Sequence, residues 1–237
     1  MANSIKVTVN SIHDIAPEKR FLVNELTIVG KFELKRDLPI LRSMCNTIVD
    51  GKRTGGNLSV VDLSKSYIAG EFRAYGTVNA DSWGSMKDCI SLKEISLPSQ
   101  ILLHSSAGNY FSGCKSLEAI HIVGSRLPTY YESSGRVCDD DGVLLHEKNN
   151  QVELVKYPAN KGCEYTITKD IIRIGDCAFE DSHLSRLIMP MVPPSCKEDA
   201  FCGINKIALT LIVPEEAYDS YWIHPVFGKF NIEKIRK

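Results

Sequence analysis

The sequence lacks the segments by which a chain crosses or enters a membrane. Its 237 residues contain no apolar run of about 18 residues, so no membrane-spanning helix is predicted. Residues 1–20 also lack the apolar core of a signal peptide. Two explanations stay open at this point: a cytosolic protein, or a chain from which a leader has been removed.

The sequence also has no excess of positive or negative charge and no catalytic motif. A formal net charge of −1 gives no support for binding to nucleic acids or other polyanions. The patterns GxGxxG, GxSxG, HExxH and the P-loop do not occur, and the eight cysteines form no CxxC pair. We therefore expect a protein that is not an enzyme and that has no catalytic, cofactor-binding or metal-binding residues.

The sequence does contain a motif that recurs. Residues 86–98, 111–122, 179–190 and 201–214 each begin with a large apolar residue and a short polar turn. Apolar residues spaced i, i+3 and i+5 then follow. They are Leu92, Ile95 and Leu97; Leu117, Ile120 and Ile122; Leu184, Leu187 and Met189; and, in the last copy, Leu211 and Val213 with Ile207 one residue out of register.

The spacing of these copies predicts a stacked repeat. Leu92 and Leu117 lie 25 residues apart, and L-x-x-L-x-L is the leucine-rich-repeat pattern. We expect a leucine-rich repeat solenoid, α/β by convention but mostly β in content. It is predicted to be a right-handed superhelix with one parallel sheet and short helical or irregular returns. The aligned strand-end residues are Leu63, Leu97, Ile122, Ile167, Met189 and Val213.

The segments outside the repeats have predicted roles in closing the stack. Within one structural domain, we assign residues 1–40 to an N-terminal cap, 41–214 to the repeats, about 141–158 to an inserted β-hairpin, and 215–237 to an aromatic C-terminal cap. The hairpin would turn at Lys148–Asn150. Asp37 is expected to cap a helix over about 38–46.

These pieces together resemble the BspA-like leucine-rich repeat family, whose repeat has the form AFxGCxxLxxIxIP. FSGCKSLEAIHI and AFCGINKIALTLIVP follow that form, and DGVLL…YPANKGCEYTI follows an insert of the family. Residues 65–82 have no counterpart in it. The resemblance implies a bacterial surface-anchored or secreted protein with interaction roles such as adhesion. It therefore favours an extracellular or cell-surface location, with a leader removed.

Three groups of polar residues could be read as chemical sites, and each has a simpler interpretation. Asp139–Asp141 precede a glycine but do not complete a calcium-binding loop, so a solvated turn is preferred. Cys114 and His121 would lie on different sides of a repeat and so make a poor nucleophile–base pair. Cys89 and Cys114 share one repeat position, where buried thiols are favoured over a disulfide.

The residues between the core positions of each strand point out of the sheet and form a candidate protein-contact face. They are Asp62, Ser96, His121, Thr166, Ile188 and Ile212. Ile188 and Ile212 are apolar at outward positions, which indicates either an exposed contact patch or cover by another segment. The aromatic tail, with Tyr221 and Trp222, is the candidate cover.

Three functions are compatible with these features. The first is a binding module for a host extracellular or other cell-surface protein, with no nucleic-acid partner and no membrane span. The alternative is a structural, spacer or self-assembly module without a ligand of its own. The third, a hydrolase, depends only on scattered His, Asp and Cys residues. If the sheet face is not the contact surface, the loops at 65–82 and 124–138 are the next candidates.

Overall fold

Short strands dominate the regular structure of the computed structural model, which describes residues 4–69, 85–99, 101, 107–124 and 135–235. The first strands are β1 (Lys6–Val9), β2 (Glu25–Ile28), β3 (Lys31–Glu33), β4 (Ile48–Val49), β5 (Lys52–Arg53), β6 (Val60–Asp62), β7 (Tyr67–Ala69), β8 (Glu94–Pro98) and β9 (Ala119–Val123). The later ones are β10 (Arg136–Asp140), β11 (Val143–Lys148), β12 (Gln151–Lys156), β13 (Glu164–Thr166), β14 (Ile171–Ile174), β15 (Arg186–Ile188), β16 (Thr210–Val213) and β17 (Asn231–Lys234). Two α-helices, α1 (Leu34–Met44) and α2 (Tyr218–Trp222), lie in the same described part.

The larger sheets are two parallel sheets with a mixed sheet between them in the chain. Two small two-stranded sheets are formed by β3 with β7, in parallel, and by β4 with β5, antiparallel. The N-terminal sheet has the order β1-β2-β6-β8-β9, and the C-terminal sheet has the order β13-β15-β16-β17. The mixed sheet is β10-β11-β12-β14. The prediction of one parallel sheet is therefore wrong. The Ile120 N–H on β9 donates to Gly142 O at 2.9 Å, so residues beside the hairpin take the place that β13 was expected to fill.

Within each parallel sheet the predicted register is confirmed. Leu97 lies opposite Ile122 on neighbouring strands. Thr166, Ile188 and Ile212 also lie opposite one another. In the last repeat the predicted alignment of Ile207 with the first core leucine is wrong. Ile207 is 85% exposed, and Leu209 occupies the buried position.

A left-handed backbone position recurs in the turn of each repeat. The residue two after the leading apolar residue has a positive φ in all four copies, at Asp88 (59°), Gly113 (71°), Asp181 (54°) and Gly203 (73°). Glycine adopts this conformation freely, and aspartate tolerates it better than most other residues. A side chain Cβ at Gly113 would lie 2.3 Å from Asp88 Oδ1 of the preceding repeat. The motif therefore encodes both the turn and the close stacking of successive turns.

The buried apolar residues form two hydrophobic cores, one around each parallel sheet. The central hairpin, which consists of β11 and β12, packs against both. Leu144 and Val155 belong to the N-terminal core. Val143, Leu145 and Leu154 belong to the C-terminal core. Since successive residues of a strand point to opposite faces, the two faces of the hairpin are buried in different cores.

The N-terminal segment contributes α1, whose start differs from the prediction. The helix begins at Leu34 rather than near residue 38, and Asp37 lies inside its first turn. Asp37 still satisfies the helix start, because its Oδ2 accepts the Glu33 N–H at 2.8 Å. Its other oxygen lies 2.9 Å from His13 Nε2, which fixes the preceding segment to the helix.

The C-terminal segment closes the second core with aromatic side chains and a final strand. Tyr221, Phe227 and Phe230 are buried in that core. β17 pairs with β16 in parallel. None of the helices in the described residues is long and apolar enough to span a membrane.

Candidate protein-contact face

Three of the predicted contact residues form one row on the N-terminal sheet. Asp62 lies opposite Ser96, and Ser96 lies opposite His121. The row continues to Thr27 and Thr8 on the strands that precede β6. These two threonines were not predicted from the sequence, although the alternation in VTV and LTI is a signal for them. This row, from Thr8 to His121, is the polar row.

The other three predicted residues form a row on the C-terminal sheet. Thr166, Ile188 and Ile212 lie opposite one another, and Glu233 extends the row on β17. We call these four residues the mixed row. His121 and Thr166 belong to different sheets, so the expected line of six residues is two separate rows.

Burial differs between the two outward isoleucines. Ile188 is partly exposed, whereas Ile212 is only 8% exposed. The tail strand β17 lies beside Ile212, and Glu233 is the residue of β17 opposite it. The two aromatic residues expected to provide cover have other positions: Tyr221 is buried in the C-terminal core, and Trp222 is 59% exposed. Ile188 is therefore the accessible apolar centre of the mixed row.

Ion pairs and hydrogen bonds order the polar side chains around these rows. Arg186 Nε lies 2.8 Å from Glu164 Oε2 beside the mixed row. Lys6 lies 2.7 Å from Glu25 beside the polar row. The hydrogen bond from Lys6 lowers the pKa of Glu25 below its ordinary value, so this carboxylate is ionised at neutral pH. The two rows thus offer hydrogen-bonding groups, paired charges and one apolar side chain.

Asp139 joins the central hairpin region to the polar row. Its Oδ1 accepts the Ile122 N–H at 2.7 Å, and its Oδ2 lies 3.6 Å from His121 Nδ1. Asp141 and Gly142 form a left-handed turn, and Asp141 pairs with Lys161 at 2.9 Å. This hydrogen bond lowers the pKa of Asp141. Asp139 and Asp140 end strand β10, and of the three aspartates Asp141 alone lies in the turn. No group of three or more metal-ligating side chains exists among the described residues.

The structure separates Cys114 from His121, as the sequence analysis expects. Cys114 is 2% exposed, and its Sγ donates to Met86 O at 2.9 Å inside the core. Burial raises the pKa of Cys114 and of Cys89 well above the ordinary thiol value. Such thiols are protonated at neutral pH and are poor nucleophiles. Both cysteines are unpaired buried thiols in this structure.

A second exposed apolar surface was not singled out from the sequence. Met191 and Val192 are 53% and 74% exposed, and Trp222 and Ile223 are 59% and 79% exposed. The Tyr221 hydroxyl donates to Pro190 O at 2.8 Å, which brings the two segments together. The sequence signal for this surface was two apolar pairs, Met191–Val192 after a predicted strand and Trp222–Ile223 at the end of the predicted tail helix.

The alternative loops fall largely outside the described residues. The candidate loops are at 65–82 and 124–138. Most of their length, residues 70–82 and 125–134, lies outside the described residues. Tyr67, at the described start of the first loop, is 71% exposed.

Comparison with known proteins gives matches among solved structures alone. No family model and no curated protein matches the chain. A leucine-rich repeat protein from Eubacterium ventriosum is 16% identical with a TM-score of 0.41, and the match covers 83% of this chain and 49% of that one. A leucine-rich cell surface protein from Faecalibacterium prausnitzii is 17% identical with a TM-score of 0.32, covering 91% and 64%. The pneumococcal vaccine antigen PcpA is 13% identical with a TM-score of 0.31, covering 92% and 78%.

The chain spans about half the length of the first of these proteins and about two thirds of the second. Both are leucine-rich proteins of bacteria. In this chain itself, the recurring L-x-x-L-x-L segments form parallel strands paired in register. The described part of the chain has a leucine-rich-repeat-like fold.

Proposed function

We propose that this chain is a non-enzymatic protein-binding module of a bacterial cell-surface or secreted leucine-rich repeat protein. Its partner is a host extracellular protein or another cell-surface protein, and its role is adhesion or host interaction. The proposal includes a right-handed solenoid path in which the central hairpin is an insertion between repeats.

The observation that carries the proposal is the in-register mixed row with Ile188 at its accessible centre. Thr166 and Ile212 lie on either side of Ile188 on the neighbouring strands. An apolar side chain surrounded by polar and charged groups is the usual composition of a protein-binding surface. The polar row supplies hydrogen-bonding groups on the other parallel sheet.

A binding assay with one matched control tests this face. The intact chain is immobilised and presented with a panel of purified host extracellular proteins, and binding is measured by surface plasmon resonance. Ile188→Asp is expected to abolish binding because it places a charge at the apolar centre. Ile207→Asp, at an isoleucine that is 85% exposed outside both rows, is expected to leave binding unchanged.

A single substitution at Ile188 is a cleaner test than a double substitution of Ile188 and Ile212. Ile212 is nearly buried, so an aspartate there is expected to destabilise the fold and to confuse the result. Unchanged binding by a folded Ile188→Asp variant would exclude the mixed row as the contact face. Absence of binding by the wild-type chain to every protein of the panel would count against the adhesion role.

A structural or self-assembly role is the second candidate, and the ends of the two parallel sheets favour it. β1 and β17 are terminal strands, each with a single paired strand in the described part of the chain. An open strand edge can pair with another chain. Sedimentation velocity across a range of concentrations separates the candidates, since self-assembly predicts concentration-dependent growth without any added ligand.

A further inference from the structure

Lys156, the last residue of β12, is the one buried lysine or arginine in the described residues, with 1% of its surface exposed. Its ammonium group donates to Cys177 O at 2.9 Å and lies 3.4 Å from Glu180 Oε2. The other carboxylate oxygen, Glu180 Oε1, accepts the Ser112 hydroxyl at 2.7 Å. The lysine is therefore part of a short polar network inside the protein.

This network connects three parts of the chain: the N-terminal core, the end of the central hairpin and the C-terminal core. Ser112 follows Phe111, which belongs to the N-terminal core. Lys156 ends the central hairpin, and Glu180 follows Phe179 of the C-terminal core. The hairpin separates the two cores, so the apolar contacts of each core stabilise its own half. The polar network is a direct link between them.

The free energy of such a link depends strongly on both partners. A buried ion pair adds little over an apolar substitute, but removal of one partner leaves a charge without compensation in a poorly solvated site. The network therefore penalises any state in which the C-terminal half separates from the hairpin. Other links join the halves, such as the backbone hydrogen bond from the Asn160 N–H to Leu117 O at 2.7 Å and the more exposed 3.4 Å pair between Lys115 and Asp181, and neither of these two contains a buried charge.

We propose that Lys156 and Glu180 form an internal latch that makes the two halves of the protein open and unfold as one unit. The latch is a property of the fold and does not depend on the proposed binding function. Without it, the C-terminal half opens while the N-terminal half stays folded, because the Glu180 carboxylate, whose side chain is 18% exposed, belongs to the C-terminal half and becomes fully hydrated when that half opens.

Native-state hydrogen exchange of the intact chain tests the latch, with peptides from β8 and β9 reporting on one half and peptides from β15 and β16 on the other. In the wild-type protein both sets are expected to exchange through the same opening. In Lys156→Met, exchange in β15 and β16 is expected to rise about a hundredfold relative to β8 and β9, as loss of a buried charge partner implies.

Two further variants keep the test decisive if Lys156→Met does not fold. Glu180→Gln leaves the buried Lys156 ammonium without its carboxylate, so it is expected to shift the exchange ratio in the same direction by at least as much as Lys156→Met. Ser112→Ala removes one neutral hydrogen bond from the same network and is expected to shift the ratio by a smaller factor. Lys115→Met is the matched control, because it removes an exposed pair at the same junction. The latch is excluded if the exchange ratio stays at the wild-type value in the network variants, or if Lys115→Met shifts it equally.

Discussion

Leu97 and Ile122 lie directly opposite each other on the parallel strands β8 and β9. Leu97 is 1% exposed, whereas Ile122 is only partly buried, next to the Asp139 side chain that binds its N–H. The pair confirms that these two repeats are neighbours in the predicted register. It also shows that Ile122, a core position of the predicted repeat, is only partly buried.

Truncation of Leu97 is expected to destabilise the protein as a core substitution. Leu97→Ala should lower the free energy of unfolding by about 2–5 kcal/mol, since it removes apolar contacts and leaves a cavity. Urea denaturation measures the effect. Val123→Ala, at a residue of β9 that is 47% exposed, serves as the control and should change the free energy by less than about 0.5 kcal/mol. Equal losses would contradict the register.

The left-handed turn position predicts an unusual cost for alanine. Gly113→Ala should destabilise the protein by about 1–3 kcal/mol, because φ is positive and the added Cβ would meet Asp88. Gly162→Ala is the matched control, since a Cβ added there would meet no atom closer than 3.6 Å. Thermal unfolding of both variants should show a lower midpoint for Gly113→Ala alone. A midpoint for Gly113→Ala at the wild-type value would show that the turn tolerates a side chain.

The aromatic tail is expected to be indispensable for a soluble fold. Phe227 is fully buried, so Phe227→Ala should cost about 3–5 kcal/mol. Deletion of residues 215–237 should expose the end of the C-terminal core and cause aggregation, measured by size-exclusion chromatography. Ile223→Ala, at a residue that is 79% exposed, should have little effect. A monomeric, cooperatively folded truncation would refute the capping role.

Asp37 predicts how stability depends on pH. Burial raises the pKa of Asp37, and hydrogen bonds from Arg36, the Glu33 N–H and His13 lower it. The lowering is the larger effect, so the pKa of Asp37 is below the ordinary value. The carboxylate therefore contributes stability above the unfolded pKa of about 4, and this contribution is lost as pH falls through the lowered pKa.

The corresponding variant is Asp37→Asn, which should lose about 1–3 kcal/mol near pH 7 because a buried charged acceptor is removed. The difference from wild type should shrink as the pH falls below about 4. Denaturant titrations at several pH values measure it, and Asp219→Asn at an exposed aspartate is the control. A difference that is constant across the acidic range would contradict the assignment.

Local patterns explain what the sequence could predict. Alternating apolar residues specify the strand register, so the pairings of Leu97 with Ile122 and of Ile188 with Ile212 could be found without a structure. The antiparallel pairing of β11 with β12 confirms the hairpin with a tight turn predicted at Lys148–Asn150. Lys148 is still paired, so the turn consists of Asn149 and Asn150, both with positive φ.

Long-range choices explain what could not be predicted. In this structure β9 bonds to residues beside the hairpin and not to β13. That choice depends on the burial of both hairpin faces, which the spacing of apolar residues in the sequence does not indicate. Lys156 resembles a solvated strand end in the sequence, and its burial depends on Glu180, which lies 24 residues later in the chain. Of the candidate contact face, three residues of each row were predicted, but the outer residues Thr8, Thr27 and Glu233 and the division between two sheets were not.

The central hairpin has a consequence for how the protein acquires its structure. Its pairing is local, because residues 148 and 151 are opposite each other and only two residues separate them. Local contacts form early in folding, since little loop-closure entropy opposes them. We expect the hairpin to order first and to provide a surface on each side, on which the two cores then condense. Folding would then proceed outward from the middle of the chain in both directions, so that the terminal caps are the last parts to close.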